Sequence, residues 1–273
     1  MASEFIKDII PFMIDKEVTY IDVGANQGDT FAEFHNSNLH IKEAHLFEPN
    51  NITFKLLQEK CQNKYPHAHI YNLALSSECS SNMILLQKGT MSRIIPTELA
   101  TKEQLSKTQL TASSTLDIVS QNILSDHISI LKIDVEGHEL DVMKGMVNLL
   151  SAKKIDVIYI EAGLDKNNTQ QTYYRTIEDF LSDYDFKIFK IYEQINEWPT
   201  DSPFLRRINI AFMSKEFAEN HPYKHTRAVY EFQNRLLSLV GELKKARTIS
   251  GQLQKQIENV ENQINALKSR KKP

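Results

Sequence analysis

The chain is poor in cysteine: its 273 residues hold two, Cys61 and Cys79, which give neither a disulfide framework nor a metal-ligand spacing. Two free thiols and a reducing, cytoplasmic setting are the expectation. There is no run of about 18 apolar residues, the length a membrane-spanning helix needs. The opening stretch MASEFIKDIIPFMIDKE scatters acids among its apolar residues and lacks the basic start and small-residue cleavage site of a secretory signal. Positive charge is scarce over most of the length. Residues 1–224 carry 22 basic against 31 acidic side chains, a balance of −9, whereas the remainder carries ten basic residues and four glutamates, or +6. An acidic body argues against broad nucleic-acid binding, which needs positive charge facing the phosphates.

What is present is enough apolar material, 41% of residues with 25% charged, for one sizeable core and an appendage. We place a globular domain over residues 1–222 and a helical tail over 223–273. In the first part, short β-branched runs at 18–24, 43–49, 68–76, 127–137 and 155–163 alternate with helical patterns at about 28–37, 50–62, 138–150 and 170–183. That alternation predicts an α/β fold with a mostly parallel sheet and helices on both faces. Two later runs, 185–193 and 206–214, are joined by a proline-containing loop and predict an antiparallel pair at one edge. The stretch from Ser77 to Ala112 lacks clean periodicity. We read it as a long loop on the acceptor side with short strands at 82–87 and 112–119, because loops of that length are uncommon unless functional.

The run YIDVGANQGDTFAEF, residues 20–34, turns from strand to helix through Gly24 and Gly28, where the backbone can approach a ligand closely and free N–H groups are presented. A dinucleotide fingerprint would need glycine where Asn26 and Asp29 stand. Asp29 at the helix start also works against a bound pyrophosphate. A neutral or cationic ligand suits this end.

The pattern Asp22-x-Gly24-x-Asn26-x-Gly28 resembles the first motif of class I S-adenosylmethionine (SAM) methyltransferases, with asparagine for the usual central glycine. Together, IDVGANQGDT, FEPN, NLALS, STLD and LKIDVEGHELDVMKGM resemble the FkbM family of SAM-dependent O-methyltransferases over about residues 17–214. The resemblance implies a Rossmann-like sheet, SAM as cofactor and a hydroxyl acceptor such as a sugar. By motif position it implies Asp22, Gly24, Asn26, Gly28, Thr30, Glu48, Asn72 and Ala74 as cofactor residues, with Glu48 on the ribose.

Methyl transfer to an alcohol needs a base for the hydroxyl proton. The cluster in DVEGHE supplies Asp134, Glu136 and His138 as candidates just past an apolar strand. A helix-capping role for Glu136 to Glu139 stays open. These carboxylates with His138 could ligate a divalent cation, but no His-x-x-x-His or paired-aspartate spacing is present, so no metal is the expectation. Glu161 at a strand end, Arg93, and Trp198, the one tryptophan, are candidates for the acceptor side, since an aromatic face packs on a sugar ring. Two rival readings remain: a non-catalytic adaptor with this fold, and an NAD-dependent oxidoreductase, which the failed glycine pattern disfavours.

In the tail, a 3,4 spacing runs from Val229 through Phe232, Leu236, Leu239, Leu243, Ala246, Ser250, Leu253, Ile257, Val260, Ile264 and Leu267. This predicts a coiled coil, and its isoleucine-rich first and leucine-rich second core positions favour a parallel homodimer. Ala246 and Ser250, with Gly241 and Gly251 nearby, mark a weak middle where the helix could break. The basic end KSRKKP is suited to anionic lipid head groups at the inner face of a membrane, or to an acidic enzyme of the same pathway.

Overall fold

The computed structural model describes residues 3–14, 16–61, 64–87, 92–95, 106–122, 125, 127–168, 170–196, 203–221 and 223–269. Trp198 and the end of the basic tail, residues 270–273, lie outside them. Cα packing divides the chain into two compact units, Met1–His221 and Pro222–Pro273.

In the first unit the elements run α1 (Ser3–Met13), β1 (Val18–Val23), α2 (Asp29–His35), β2 (Ile41–Phe47), α3 (Asn51–Cys61), β3 (Ala68–Tyr71), β4 (Ala74–Leu75), β5 (Ser80–Leu86), β6 (Arg93–Ile95) and β7 (Thr108–Ser114). There follow α4 (Leu116–Val119), β8 (Ile128–Ile133), α5 (Glu139–Lys144), α6 (Val147–Ser151), β9 (Ile155–Gly163), α7 (Tyr174–Ser182), β10 (Phe186–Asn196), β11 (Leu205–Ser214) and α8 (Lys215–Asn220). A seven-stranded sheet has the order β10-β11-β9-β8-β1-β2-β3. β1 pairs in parallel with β2 and β8, β8 with β9, and β2 with β3, while β11 runs antiparallel to both β9 and β10. This is the mixed, Rossmann-like α/β architecture expected, with its antiparallel strands at one edge.

The central strands β1, β8 and β9 are buried along their whole length. Helices cover both faces of such strands, so continuous apolar runs rather than alternation mark them in the sequence. The core joins Ile21, Leu131, Ile133, Ile158 and Ile160 to Val142, Met143 and Leu150 of α5 and α6 and to Ile177 and Leu181 of α7. Opposite, Phe5 of α1 stacks on Tyr159 at 4.4 Å and meets Phe34 edge-on at 5.9 Å.

Three expectations are corrected. Residues 77–112 are not one long loop, because their described parts form a second sheet of order β4-β7-β5-β6, and the run expected at 68–76 splits into β3 and β4 to serve both sheets. The run at 112–119 continues β7 only to Ser114, then turns into α4, with the Thr115 side chain accepting from the Ile118 N–H as an N-cap. The helix expected over 138–150 breaks at Gly145, where a Cβ would lie 2.0 Å from the carbonyl oxygen of Ser76; the close approach requires glycine there.

The second unit is a single helix, α9 (Tyr223–Ser269), about 70 Å long at the ordinary rise per residue. It continues through Gly241, Ala246, Ser250 and Gly251, so the expected break in the weak middle does not occur. Val229, Phe232, Leu236, Leu239, Leu243, Leu253, Ile257 and Val260 are exposed along it.

Candidate active site

The carboxyl ends of β1, β2, β8 and β9 share one edge of the sheet, as parallel pairing demands, and they enclose a cavity of about 550 Å³. The loop after β1 forms its floor. Gly24, Asn26 and Gly28 have φ of +80°, +50° and +77°, the left-handed region that glycine enters freely and asparagine tolerates. Gly24 is required sterically as well, since a Cβ there would lie 1.9 Å from the carbonyl oxygen of Asp134. The N–H groups of Gly24 and Ala25 donate to the carbonyl of Phe47, and that of Asp134 to Val23. The three strand ends are thereby tied into one unit.

Asp22 lies beneath this floor. Fully buried, it accepts from the Lys132 ammonium at 3.0 Å and from the Tyr20 hydroxyl at 3.1 Å. Lys132 also reaches Asp134 at 3.5 Å. Burial opposes the charge on Lys132, but Asp22 and Asp134 outweigh it and hold the ammonium above the ordinary lysine value. Asp22 therefore supports the turn rather than lining the cavity.

Glu48, just after β2, accepts from the N–H groups of Asn26 at 2.9 Å and Asn50 at 2.8 Å, one at each oxygen. Burial pushes its carboxyl up, and those two bonds pull the other way. Each oxygen keeps a further lone pair for a ligand hydroxyl. Asn72 donates to the carbonyls of Glu48 at 3.0 Å and Pro49 at 3.2 Å, fixing the chain behind Glu48. Apolar Val23, Phe47, Leu73, Leu75 and Ile133 complete this end. The Asn26 Oδ1 is buried with no hydrogen-bond partner among the described residues.

Beyond β8 the chain turns sharply, with Glu136 at φ +53° and Gly137 at +100°. A side chain in that region costs on the order of 1–3 kcal/mol unless neighbours impose it. Glu139 imposes it. Its fully buried carboxylate accepts from the N–H of Gly137 at 3.1 Å and, more weakly, of Val135 at 3.4 Å. Its other oxygen takes the Thr172 hydroxyl at 2.6 Å and N–H at 3.1 Å. The turn directs Glu136 into the cavity, where burial first and the charge of Asp134 second push its carboxyl up to about 7, against the pull of Arg207. His138 joins Ser76 Oγ at 2.9 Å through Nε2 and faces Asp141 at 3.4 Å through Nδ1. Burial lowers its pKa against the pull of Asp141.

At the far wall Glu161 is 2% exposed and paired through Oε1 with Arg207. Its Oε2 and the Nε of Arg206 are buried without partners among the described residues. One carboxylate oxygen each from Asp134, Glu136 and Glu161 falls within 4.8 Å of the others. A second such group, Glu43, His45 and His69, belongs to the edge formed by β2 and β3. There Glu43 and His45 bond each other at 3.2 Å and also hold Ser125 and Tyr71.

Of the residues singled out in the sequence, Gly24, Asn26, Thr30, Glu48, Ala74, Arg93, Asp134, Glu136, His138 and Glu161 all line this cavity. Asp22, Gly28 and Asn72 do not; they shape its floor and rim. Sequence reasoning missed Lys132, which stands inside an apolar strand, and the clamp role of Glu139. The signal for Lys132 was a lone charge in ISILKI, two residues before an aspartate. For Glu139 there was none, because its partner Thr172 is 33 residues away.

A family model described as the methyltransferase FkbM domain matches residues 22–188. The hexuronic acid methyltransferase AglP of Haloferax volcanii is 49% identical over 37 residues, 14% of this chain and 16% of that protein. Among solved structures, methyltransferase FkbM from Methylobacillus flagellatus KT superposes with a TM-score of 0.47 at 15% identity, covering 71% of this chain and 43% of that one. TrmK of M. capricolum, in complex with S-adenosyl-homocysteine, superposes with a TM-score of 0.40 at 11% identity, covering 77% and 68%. The chain thus spans less than half the length of the curated relative and of the FkbM structure.

Proposed function

The chain belongs to the FkbM methyltransferase family, and from that premise we propose that it transfers a methyl group from SAM to a hydroxyl of a glycan or glycan-like acceptor. The observation that carries this reading is a single cavity with two chemically different ends. At one, apolar walls, the Gly24 turn, the free Asn26 amide oxygen and Glu48 fit a nucleoside with a ribose diol. At the other, Asp134, Glu136 and Glu161 meet Arg206 and Arg207.

Bound SAM supplies an electrophilic methyl on a sulfonium. The chain's own task is to hold the acceptor oxygen in line behind that carbon and to receive its proton, contributions that make up most of the rate in such displacements. Glu136 is the proton acceptor in this reading. Its carboxylate projects from the locked turn, and its hydrogen bond among the described residues is a long contact of 3.5 Å from Gln171. The arginines favour an acceptor that carries a carboxylate, since a guanidinium binds that group bidentately. The hexuronic acid named for the Haloferax relative supports the same class.

Calorimetric titration with SAM, S-adenosylhomocysteine and NAD, followed by methyl transfer to uronic acid glycosides, tests the proposal. SAM binding with turnover on a hydroxyl is expected. NAD binding alone would give the site to an oxidoreductase, and SAM binding without turnover on any acceptor would give it to an adaptor.

A further inference from the structure

We propose that Asp134, Glu136 and Glu161 form a binding site for a hard divalent cation, Mg²⁺ or Mn²⁺, at the acceptor end of the cavity. The inference rests on the methyltransferase reading for the ion's role, but not for its binding. Three carboxylates from two different strand ends converge there, each offering one oxygen within 4.8 Å of the others. Oxygens on one ion stand about 3 Å apart when adjacent and about 4.2 Å when opposite at magnesium–oxygen distances, so binding draws the three side chains inward. All three ligands are carboxylate oxygens, a donor set that selects hard cations over zinc or copper.

The second observation is independent of that convergence. Glu161 is 2% exposed, and its Oε2 is buried on the cavity wall without a hydrogen-bond partner among the described residues. A buried carboxylate oxygen left unpaired costs free energy that folding alone does not return. Among the described residues the nearby bases do not supply the missing partner, and the Arg206 Nε on the same wall is itself without one. Arg207 is held by the other oxygen of Glu161, and Lys132 is shared between Asp22 and Asp134. The structure also pays to present Glu136, whose φ of +53° is imposed by the Glu139 clamp. An ion at this point satisfies Glu161 and draws together carboxylates that otherwise repel.

The remaining coordination positions suit two neighbouring hydroxyls of a sugar. An acceptor oxygen held there loses its proton more readily, and the Glu136 oxygen that is not a ligand receives it. The oxygen's electron pair forms the new O–C bond as the C–S bond breaks, its electrons staying on sulfur. The ion is neither consumed nor oxidised.

The test uses the full chain, freed of metal with a chelator and titrated with MnCl₂ while free Mn²⁺ is followed by electron paramagnetic resonance. One saturable Mn²⁺ per chain is expected, displaced by excess Mg²⁺. Glu161→Gln and, separately, Glu136→Gln should each weaken it at least tenfold, while SAM affinity by calorimetry stays within a few-fold. The second variant changes a half-buried side chain on the turn after β8 rather than the buried Glu161 in β9, which guards against a folding defect in the first. Absence of saturable binding, or unchanged affinity in both variants, overturns the site. Mn²⁺ binding in a protein that fails to bind SAM would overturn the methyltransferase role and leave the site standing.

Discussion

Replacing Lys132 with methionine isolates the charge pairing beneath the site. Lys132 is 6% exposed and Asp22 fully buried, and their contact at 3.0 Å lies between central strands β1 and β8. Methionine fills similar volume, so packing changes little and the loss is electrostatic. Among the described residues, Asp22 would keep the Tyr20 hydroxyl at 3.1 Å as its side-chain partner. Removing one partner of a buried pair costs about 3–5 kcal/mol, a large part of the roughly 5–15 kcal/mol that holds a typical domain folded. With a urea slope of about 2 kcal/mol per molar, the unfolding midpoint should fall by roughly 2 M. The lysine's folded-state pKa lies above its ordinary value. Its contribution is therefore fully present below the ordinary lysine value and is lost only as pH rises through the higher one. At pH 7 the whole effect should be seen. Urea unfolding followed by the near-ultraviolet tyrosine signal is the assay, and Asp22→Asn with Lys132→Met closes the cycle. The double variant should be more stable than Lys132→Met alone, since no buried charge is left unpaired. A loss below about 1 kcal/mol for the single variant, or strict additivity in the cycle, would refute the reasoning.

Glu48→Ala should weaken SAM binding by about 1–3 kcal/mol, the scale of hydrogen bonds to a charged group; unchanged affinity by calorimetry would remove Glu48 from the ribose. The Glu139 carboxyl is raised chiefly by burial, so its share of stability is greatest below the ordinary glutamate value and declines as pH climbs through the raised one. Urea midpoints at pH 4.5 and 7 should show the wild type losing ground to Glu139→Gln as pH rises, and a constant difference would contradict this. For the tail we propose a parallel dimer, in which Glu242 and Arg247 of opposite copies fall at the flanking positions that pair across such a seam. Light scattering should give twice the chain mass, falling to the monomer when Leu239 and Leu253 are both changed to lysine; a monomeric wild type would sink the proposal.

Much of the fold was legible because strand and helix write different periods into the chain. The largely apolar runs of β1, β8 and β9 announced buried parallel strands, and order along the chain placed their ends on one edge. The Gly24 turn and Glu48 could be read the same way, since each stands at a fixed step from its strand. The 3,4 spacing of the tail likewise specified a long helix. Residues 77–112 were only partly legible: the run at 82–87 marked β5, but β6 and β7 gain their order from it and from β4, and short half-exposed strands carry no period of their own. Nor could the sequence say that Asp22 is committed to Lys132, 110 positions away, or that Glu139 serves a turn while Glu136 beside it faces the cavity. Local pattern records which face of an element is apolar. Which buried charge finds which partner, and which carboxylates meet across a cavity, depends on the packing of elements remote in sequence, and that was decided only by the tertiary structure.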